Sequence, residues 1–330
     1  MTASNDINNS NYTIKAENNV VMNATNINNI HADTNYSATT GATTNETTIE
    51  AGNIVSLNAT NDITNLGATI KAGDLLYLTA GNDINNEALV NYKINGSATN
   101  ADGSAITELQ VIASNANNIK STLVSQGTLE AGGNLVLVAG NDINNKGSNI
   151  TSTGSSYLEA TAGDINIETA ALRDRTVTTW GSRKKGGTKT EDIITNTESN
   201  ITSNGNLDMV SGSNITLQAA KVKAADDINI TASDNLLLTT AIDSSFVQIE
   251  TKKKSTFSFK NSTSVDTNTA VLNNEIASTN SGEINLNSGN VTYLEYKTGA
   301  FERAAMPPFL KQLIPSKLSN SKNKIGGQIL

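Results

Sequence analysis

The feature that most constrains this chain is a short repeat, which is complete in the segment LEAGGNLVLVAGNDINN at residues 129–145. The unit contains a strand-length apolar run, a turn with Gly and Asn, and a short segment with one apolar residue between polar ones. Related copies, IEAGNIVSLNATNDITN at 49–65 and IKAGDLLYLTAGNDINN at 70–86, begin 21 residues apart. A repeat this short cannot bury its own apolar face, so it must stack on copies of itself as a solenoid.

Weaker copies continue almost to Thr298, and their apolar runs have the length of strands. The chain has no long stretch with the 3.6-residue period of a helix. The sequence therefore predicts an all-β fold, a β-solenoid with coils of about 20 residues. The apolar residues predicted to point inward are Ile63, Leu76, Ile84, Val136, Ile143 and Ile165, followed in later coils by Ile228, Ile230, Leu236, Leu237 and Leu238.

The composition agrees with a thin core. Hydrophobic residues make up 37% of the chain and aromatic residues 4%, which is too little for one thick globular core. The chain also contains 48 Asn residues, and stacked Asn side chains can form hydrogen bonds along a β stack. A genome rich in A and T would raise the Asn content as well, and the sequence does not separate the two explanations.

Several functional classes are disfavoured by residue content. Cysteine is absent, so thiol chemistry and Cys-type zinc sites are excluded, and no cofactor or metal is predicted. The one histidine, His31, lies in a polar segment and is expected at the surface. The net charge of −8 opposes general nucleic-acid binding, which requires a basic surface.

The pattern divides the chain into segments. Residues 1–170 are predicted to form the repeat β-helix, with a looser stretch at 91–118, and residues 201–240 and 281–298 to form further coils. Residues 171–200 and 241–280 interrupt the repeat as two polar excursions, and the tail at 299–330, with Pro and Lys, is expected to be disordered. The first residues have neither the basic nor the apolar region of a signal peptide, so we expect a piece of a longer protein.

The two excursions concentrate basic and aromatic side chains. Both are predicted to be strand arms around a basic turn, and such residues are common binding anchors. The candidate partner-binding residues are Trp180, Arg183, Lys184, Lys185, Lys252, Lys253, Lys254, Phe257 and Phe259. The alternative is that the excursions are solvated tips, or hairpins that pair with each other.

A second set of candidates consists of corner carboxylates. Asp62 and Asp83 lie 21 residues apart at equivalent positions, which would place them about one strand spacing, roughly 4.8 Å, from each other. Such a pair could serve glycoside hydrolysis or bind calcium. A turn-capping role is favoured, because these Asp residues belong to the repeat, whereas a catalytic site should interrupt it. No catalytic residue is therefore predicted.

The segments AGGNLVLVAGNDINNKGSNI and SNGNLDMVSGSNITLQAAKVKA, with the basic excursions between coils, resemble the haemagglutinin repeats of filamentous-haemagglutinin-like exoproteins. These include the large effectors of contact-dependent growth inhibition. The resemblance covers most of residues 4–298. It implies a right-handed parallel β-helix that a dedicated partner transporter secretes and that is displayed at the cell surface.

The same resemblance implies a role as a rigid adhesin or effector stalk that touches a cell-surface glycan, a lipid or an outer-membrane protein, or that helps to deliver a toxin. The alternative function is a β-helical carbohydrate-active enzyme or glycan-binding protein. No secretion domain or toxin of the family is recognisable in the sequence.

Overall fold

The computed structural model of the chain describes residues 1–31, 46–101, 104–182, 185–254, 259–294 and 324–325. Within these ranges the chain is almost entirely β structure, with one short helix. The tail at 299–330 that was expected to be disordered lies outside the described residues, apart from a two-residue strand.

The elements follow one another in a regular order. The first coils contain β1 (Ile7–Ser10), β2 (Thr13–Ala16), β3 (Asn19–Ala24), β4 (Ile27–Ile30), β5 (Thr48–Ala51), β6 (Ile54–Ala59), β7 (Ile63–Leu66), β8 (Thr69–Ala72), β9 (Leu76–Ala80) and β10 (Ile84–Glu87). An excursion follows with β11 (Leu89–Ile94), α1 (Glu108–Ala113) and β12 (Asn118–Ser125). The next coils contain β13 (Thr128–Ala131), β14 (Leu135–Ala139), β15 (Ile143–Lys146), β16 (Asn149–Ser152), β17 (Ser156–Ala160) and β18 (Ile165–Glu168).

The second half repeats this arrangement. A hairpin of β19 (Ala170–Gly181) and β20 (Lys185–Thr197) precedes β21 (Asn200–Ser203), β22 (Leu207–Ser211), β23 (Ile215–Gln218), β24 (Lys221–Ala224) and β25 (Ile228–Thr239). A further hairpin, β26 (Ala241–Lys254) and β27 (Phe259–Leu272), precedes β28 (Glu275–Ser278), β29 (Ile284–Leu294) and β30 (Lys324–Ile325). The strand β28 continues a coil face, so the range 241–280 assigned to the second excursion includes a coil strand.

The coils form the β-solenoid that the repeat predicts, and this solenoid has three parallel faces. The first face contains β1, β4, β7, β10, β15, β18, β23 and the ends of β25 and β29, and the second contains β2, β5, β8, β13, β16, β21, β24 and β28. The third contains β3, β6, β9, β14, β17, β22 and the starts of β25 and β29. Every strand on a face pairs in parallel with the equivalent strand of the neighbouring coil. The predicted β-helix is therefore confirmed.

Identical positions of successive coils stack to form the core. Ile63, Ile84, Ile143 and Ile165 lie in register on the first face and are at most 1% exposed. Leu76 is also fully buried, as predicted. The coils therefore share one continuous apolar core that is only a few side chains thick.

Two inward assignments are wrong. Val136 and Leu237 point outward, while their neighbours Leu135, Leu137, Leu236 and Leu238 fill the core. Both errors lie in runs that are apolar at every position, where alternation cannot identify the buried face. The register settles the side, because Val136 lies between the outward-facing Tyr77 and Tyr157 of the adjacent coils.

A ladder of buried Asn side chains lines one inner corner. Asn9, Asn29, Asn65, Asn86 and Asn145 are at most 4% exposed, and each of the first four donates from Nδ2 to Oδ1 of the next at 2.7–2.8 Å. The amides also donate to backbone carbonyl groups at the turn. The abundant Asn therefore includes a structural set, because an amide can donate and accept along the same stack.

Every excursion leaves the solenoid at the same corner, between the first and second faces. From β5 onward, successive strands of the second face are 21 residues apart across a plain corner, but 51, 54 or 59 residues apart where an excursion intervenes. The two kinds of coil alternate. The plain corners turn with a residue of positive φ, such as Gly67 (57°) or Gly147 (58°), a conformation that glycine adopts readily.

The strands of the excursions form one antiparallel sheet, which we call the lateral sheet. Its order is β11-β12-β19-β20-β26-β27. The looser stretch at 91–118 is thus the middle of an additional excursion, which is the first along the chain, and the two predicted excursions are the second and the third. The two basic excursions pair with each other, because β20 pairs with β26 over ten residues. This pairing is one of the alternatives that the sequence left open.

The histidine assignment also needs correction. His31 is 6% exposed, so it is a buried residue and not the expected surface one. Its Nδ1 lies 3.5 Å from the hydroxyl of Thr47, and its backbone N–H donates to Leu66 of the next coil. His31 directly follows β4, and this position at the end of a coil strand accounts for its burial in spite of its polar neighbours.

Candidate interaction surface on the lateral sheet

The lateral sheet is fixed to helix α1 by a buried arginine. Arg173 on β19 is 2% exposed and pairs with Asp192 on β20, donating from Nε to Oδ1 at 2.8 Å and from Nη2 to Oδ2 at 2.7 Å. Its Nη1 donates to the carbonyl groups of Val111, Ile112 and Ser114 at 2.7–3.0 Å. These carbonyls lie at the C-terminal end of the helix, so one guanidinium caps the helix and neutralises a buried carboxylate.

The neighbouring Arg175 completes this cluster. Its Nη1 donates to Asp192 Oδ2 at 2.6 Å, while its Nε is buried without a hydrogen-bond partner among the described residues. Both arginines belong to the excursion predicted at residues 171–200. Because Asp192 holds them at the root of the hairpin, they add nothing to the exposed basic surface.

The predicted basic residues that the structure describes lie at the tips of the two hairpins. Lys185, Lys252, Lys253 and Lys254 are exposed, and Trp180 is 44% exposed. Three other candidates, Arg183, Lys184 and Phe257, lie outside the described residues. Phe259 begins β27, where its backbone is opposite Lys254.

The pairing of β20 with β26 brings these candidates together. Lys185 lies opposite Lys253, and Gly186 lies opposite Lys252, so lysines almost 70 positions apart become neighbours. Trp180 lies opposite Gly187, and a Cβ at that glycine would be 2.5 Å from Cζ2 of the indole ring. The absence of a side chain at Gly187 therefore leaves room for the ring on the face that carries Lys185 and Lys253.

These residues line a shallow depression of about 310 Å³, which is bounded by Trp180, Gly181, Lys185, Gly186, Thr251, Lys252 and Lys253. One further lysine contributes to the surface. Lys260 on β27 is exposed and lies opposite Lys253. Sequence reasoning missed it because Lys260 stands apart from the Lys252–Lys254 run and is brought beside it only by the hairpin register.

The tip surface is electrostatically unbalanced. Among the described residues, Lys185, Lys252, Lys253, Lys254 and Lys260 form no ion pair. On the coil faces, by contrast, Lys71 pairs with Glu130 at 2.7 Å and Lys223 with Glu275 at 2.9 Å. Unpaired cations beside an exposed indole suit an anionic partner, because no intramolecular carboxylate competes for them.

The corner carboxylates have a structural role. Asp62 Oδ1 accepts the backbone N–H of Asp83 at 3.1 Å and the amide of Asn82 at 2.9 Å. Asp83 does the same for Asp142 and Asn141 in the next coil, at 3.0 and 2.9 Å. Each carboxylate thus caps the following turn, which is the role that the sequence favours for these residues.

An acidic cluster lies where the first excursion joins the coils. Glu87, Lys146 and Glu168 are aligned on the first face, and Lys146 pairs with Glu108 of helix α1 at 3.0 Å. Burial raises the pKa of the Glu87 and Glu168 carboxyls, and the nearby Lys146 partly offsets this increase. Burial and Glu108 likewise raise the pKa of the Tyr92 hydroxyl, which donates to Glu108 at 3.1 Å.

In the described ranges, no group of three or more His, Cys, Asp and Glu side chains is arranged to hold a metal ion. In the same part of the chain, no helix has the length and apolar character needed to cross a membrane.

Comparison with known proteins agrees with this architecture. The sequence matches the family described as Hemagglutinin repeat over residues 31–109, 112–187 and 180–295. These matches cover most of the chain, which therefore belongs to the hemagglutinin-repeat family, as the resemblance predicted.

A protein of Proteus mirabilis named Hemolysin is similar over a shorter segment. It is 29% identical over 108 residues, which are 31% of this chain and 7% of that protein. The chain therefore corresponds to a small part of the length of this relative. No solved structure matches the chain.

Proposed function

We propose that this chain is the repeat region of a large bacterial exoprotein of the filamentous-haemagglutinin type, secreted by a partner transporter and displayed at the cell surface. In that protein the solenoid is a rigid stalk, and the lateral sheet is its interaction module. Membership of the hemagglutinin-repeat family and the similarity to a much longer protein named Hemolysin support the proposal.

The observation that carries the interaction role is the meeting of two basic tips. The coil faces present mainly Asn, Ser, Thr and ion-paired lysines, which offer few distinctive contacts. The tip surface combines an exposed indole with unpaired Lys185, Lys252 and Lys253 around one depression. Aromatic and cationic groups that a rigid sheet holds in place require little ordering on binding.

The ligand class that fits is an acidic surface, such as an anionic glycan chain at the target-cell envelope. Contact would depend on several exposed cations, so it should weaken as salt screens them; the screening length is about 8 Å at physiological ionic strength.

The test measures binding of the whole chain to immobilised heparin and, separately, to vesicles with anionic lipids. The variant Lys185→Gln/Lys252→Gln/Lys253→Gln should bind at least about tenfold more weakly at low salt, since several charge contacts are lost together. The matched control, Lys15→Gln/Lys71→Gln/Lys223→Gln, removes the same charge from ion pairs on the coils and should bind like the parent chain.

Equal binding by the two triple variants would contradict the interaction role and leave the chain as a passive spacer. Binding to vesicles but not to heparin would assign the surface to lipid headgroups. Glycan binding that survives the loss of all three tip lysines would place the contact on the coil faces.

A further inference from the structure

The outer strand of the lateral sheet is an unprotected edge. The strand β27 is 14 residues long, and residues 260–268 are all exposed. It ends the order of the sheet, and no described strand pairs with its outer side. Sheet edges are usually protected by short strands, Pro, bulges or many charges. This strand has no Pro, pairs with β26 without a register shift, and carries two charged residues.

The lateral sheet already grows by adding strands to such edges. The outer strand of the first excursion, β12, pairs antiparallel with β19 of the second, and β20 of the second pairs antiparallel with β26 of the third. The edge of β27 is the equivalent outer edge of the third excursion. A further antiparallel strand at this edge would therefore continue an interface that occurs twice in the molecule.

The two charged residues of β27 are placed for pairing with an identical strand. Lys260 and Asp266 are six positions apart and so project from the same face of the sheet. A two-fold axis normal to the sheet at Thr263 aligns β27 with a second β27 in antiparallel register. Each Lys260 then lies opposite the partner's Asp266, and this complementary pair occurs twice.

The neighbouring rows of side chains favour the same register. Lys185, Lys253 and Lys260 lie directly opposite one another on three adjacent strands, and such a row of like charges is unfavourable. Asp266 lies in a row with Val247 and Glu191. Placing the partner's Asp266 beside Lys260 would join a cationic row to an acidic one.

From these observations we propose that β27 is a self-association edge, through which two copies of this chain join their lateral sheets. The dimer doubles the six-stranded sheet and places the two solenoids at opposite ends of the joined strands. This inference goes beyond the proposed function, since it concerns a second copy and not an acidic ligand. A further hairpin of the same repeat type is the rival occupant of the edge.

The test is sedimentation analysis of the whole chain over a wide range of concentrations. The parent chain should show a reversible monomer–dimer equilibrium. Lys260→Asp and Asp266→Lys each replace two attractive pairs with two repulsive ones, so each should weaken the dimer roughly tenfold or more. Mixing the two variants should restore dimers, because both pairs become complementary in the mixed species. The control Lys15→Asp, on a coil strand far along the sequence, should behave like the parent.

A parent chain that remains monomeric at every concentration would overturn the proposal and leave the edge to a further hairpin. Dimers that form equally well in both single variants, or that the mixture fails to restore, would overturn it too. Heparin binding is measured with different lysines, so failure of the dimer and failure of the proposed ligand contact remain distinguishable.

Discussion

Replacement of Arg173 by Met would test whether the lateral sheet depends on its buried charge cluster. The substitution keeps an unbranched apolar stem but removes five donated hydrogen bonds, two to Asp192 and three to the carbonyl end of helix α1. Asp192 is 1% exposed, so water cannot readily replace the lost guanidinium. Loss of one partner from a buried ion pair typically costs about 3–5 kcal/mol.

Two features of the structure determine how much free energy of unfolding the substitution should cost within this range. Arg175 still donates to Asp192 at 2.6 Å, which places the cost near the lower end, at about 3 kcal/mol. The six-residue helix can also detach while the coils remain folded, since solenoid coils depend mainly on their neighbours. The substitution should therefore destabilise helix α1 and its contacts locally and should not unfold the chain.

Hydrogen–deuterium exchange of the amides in Glu108–Ala113 is the direct measurement. A local cost of about 3 kcal/mol corresponds to roughly a hundredfold loss of protection. Peptides from the coil strands, such as Ile143–Lys146, should exchange at the parent rate. Arg175→Met is the matched control and should have a smaller effect, because Arg175 is 21% exposed at its side chain and contacts one carboxylate oxygen. Unchanged exchange in the helix, or a larger effect at Arg175, would refute this reasoning.

Three more outcomes are expected. Ile143→Asp places a carboxylate in an apolar stack without a partner and should cost several kcal/mol, seen as new proteolytic cleavage near that coil while distant coils stay resistant. Glu87 and Glu168 have raised folded-state pKa values, so stability should fall as pH rises from about 4.5 through those values; Glu87→Gln/Glu168→Gln should flatten this dependence in thermal melts. Excision of the hairpin Ala170–Thr197, with a plain corner in its place, should separate β12 from β26 and greatly increase amide exchange in both.

The sequence predicted the buried core residues correctly where an apolar residue has polar neighbours. Ile63, Ile84 and Ile143 are each followed by polar residues, so alternation identifies the buried side chain. The run Leu135–Val138 is apolar throughout and gives no such signal. The buried face of this run is set by its register with the adjacent coils, in which Val136 lies between Tyr77 and Tyr157. The local sequence pattern therefore identified the buried side chains in the short strands near the corners, but it did not identify them in the longer apolar strands.

The candidate surface was only partly accessible to sequence reasoning. The basic and aromatic composition of the excursions identified Trp180, Lys185 and Lys253, but it gave no sign that Arg173 is buried. Its partner Asp192 lies 19 residues away and becomes a neighbour only when the hairpin forms. Charges in a long hairpin can be assigned only after the turn is located, because the turn sets which residues face each other.

The alternation of plain and interrupted coils has a geometric explanation. Paired strands lie about 4.8 Å apart both in the solenoid and in the lateral sheet, so two coils and one two-stranded hairpin each advance by about 10 Å. A hairpin in every second coil therefore fills the lateral sheet without gaps, as the pairs β12–β19 and β20–β26 show. Hairpins in every coil would compete for the same space, and hairpins in every third coil could not meet. The solenoid thus sets the spacing at which the polar excursions pair into one ordered sheet along its length.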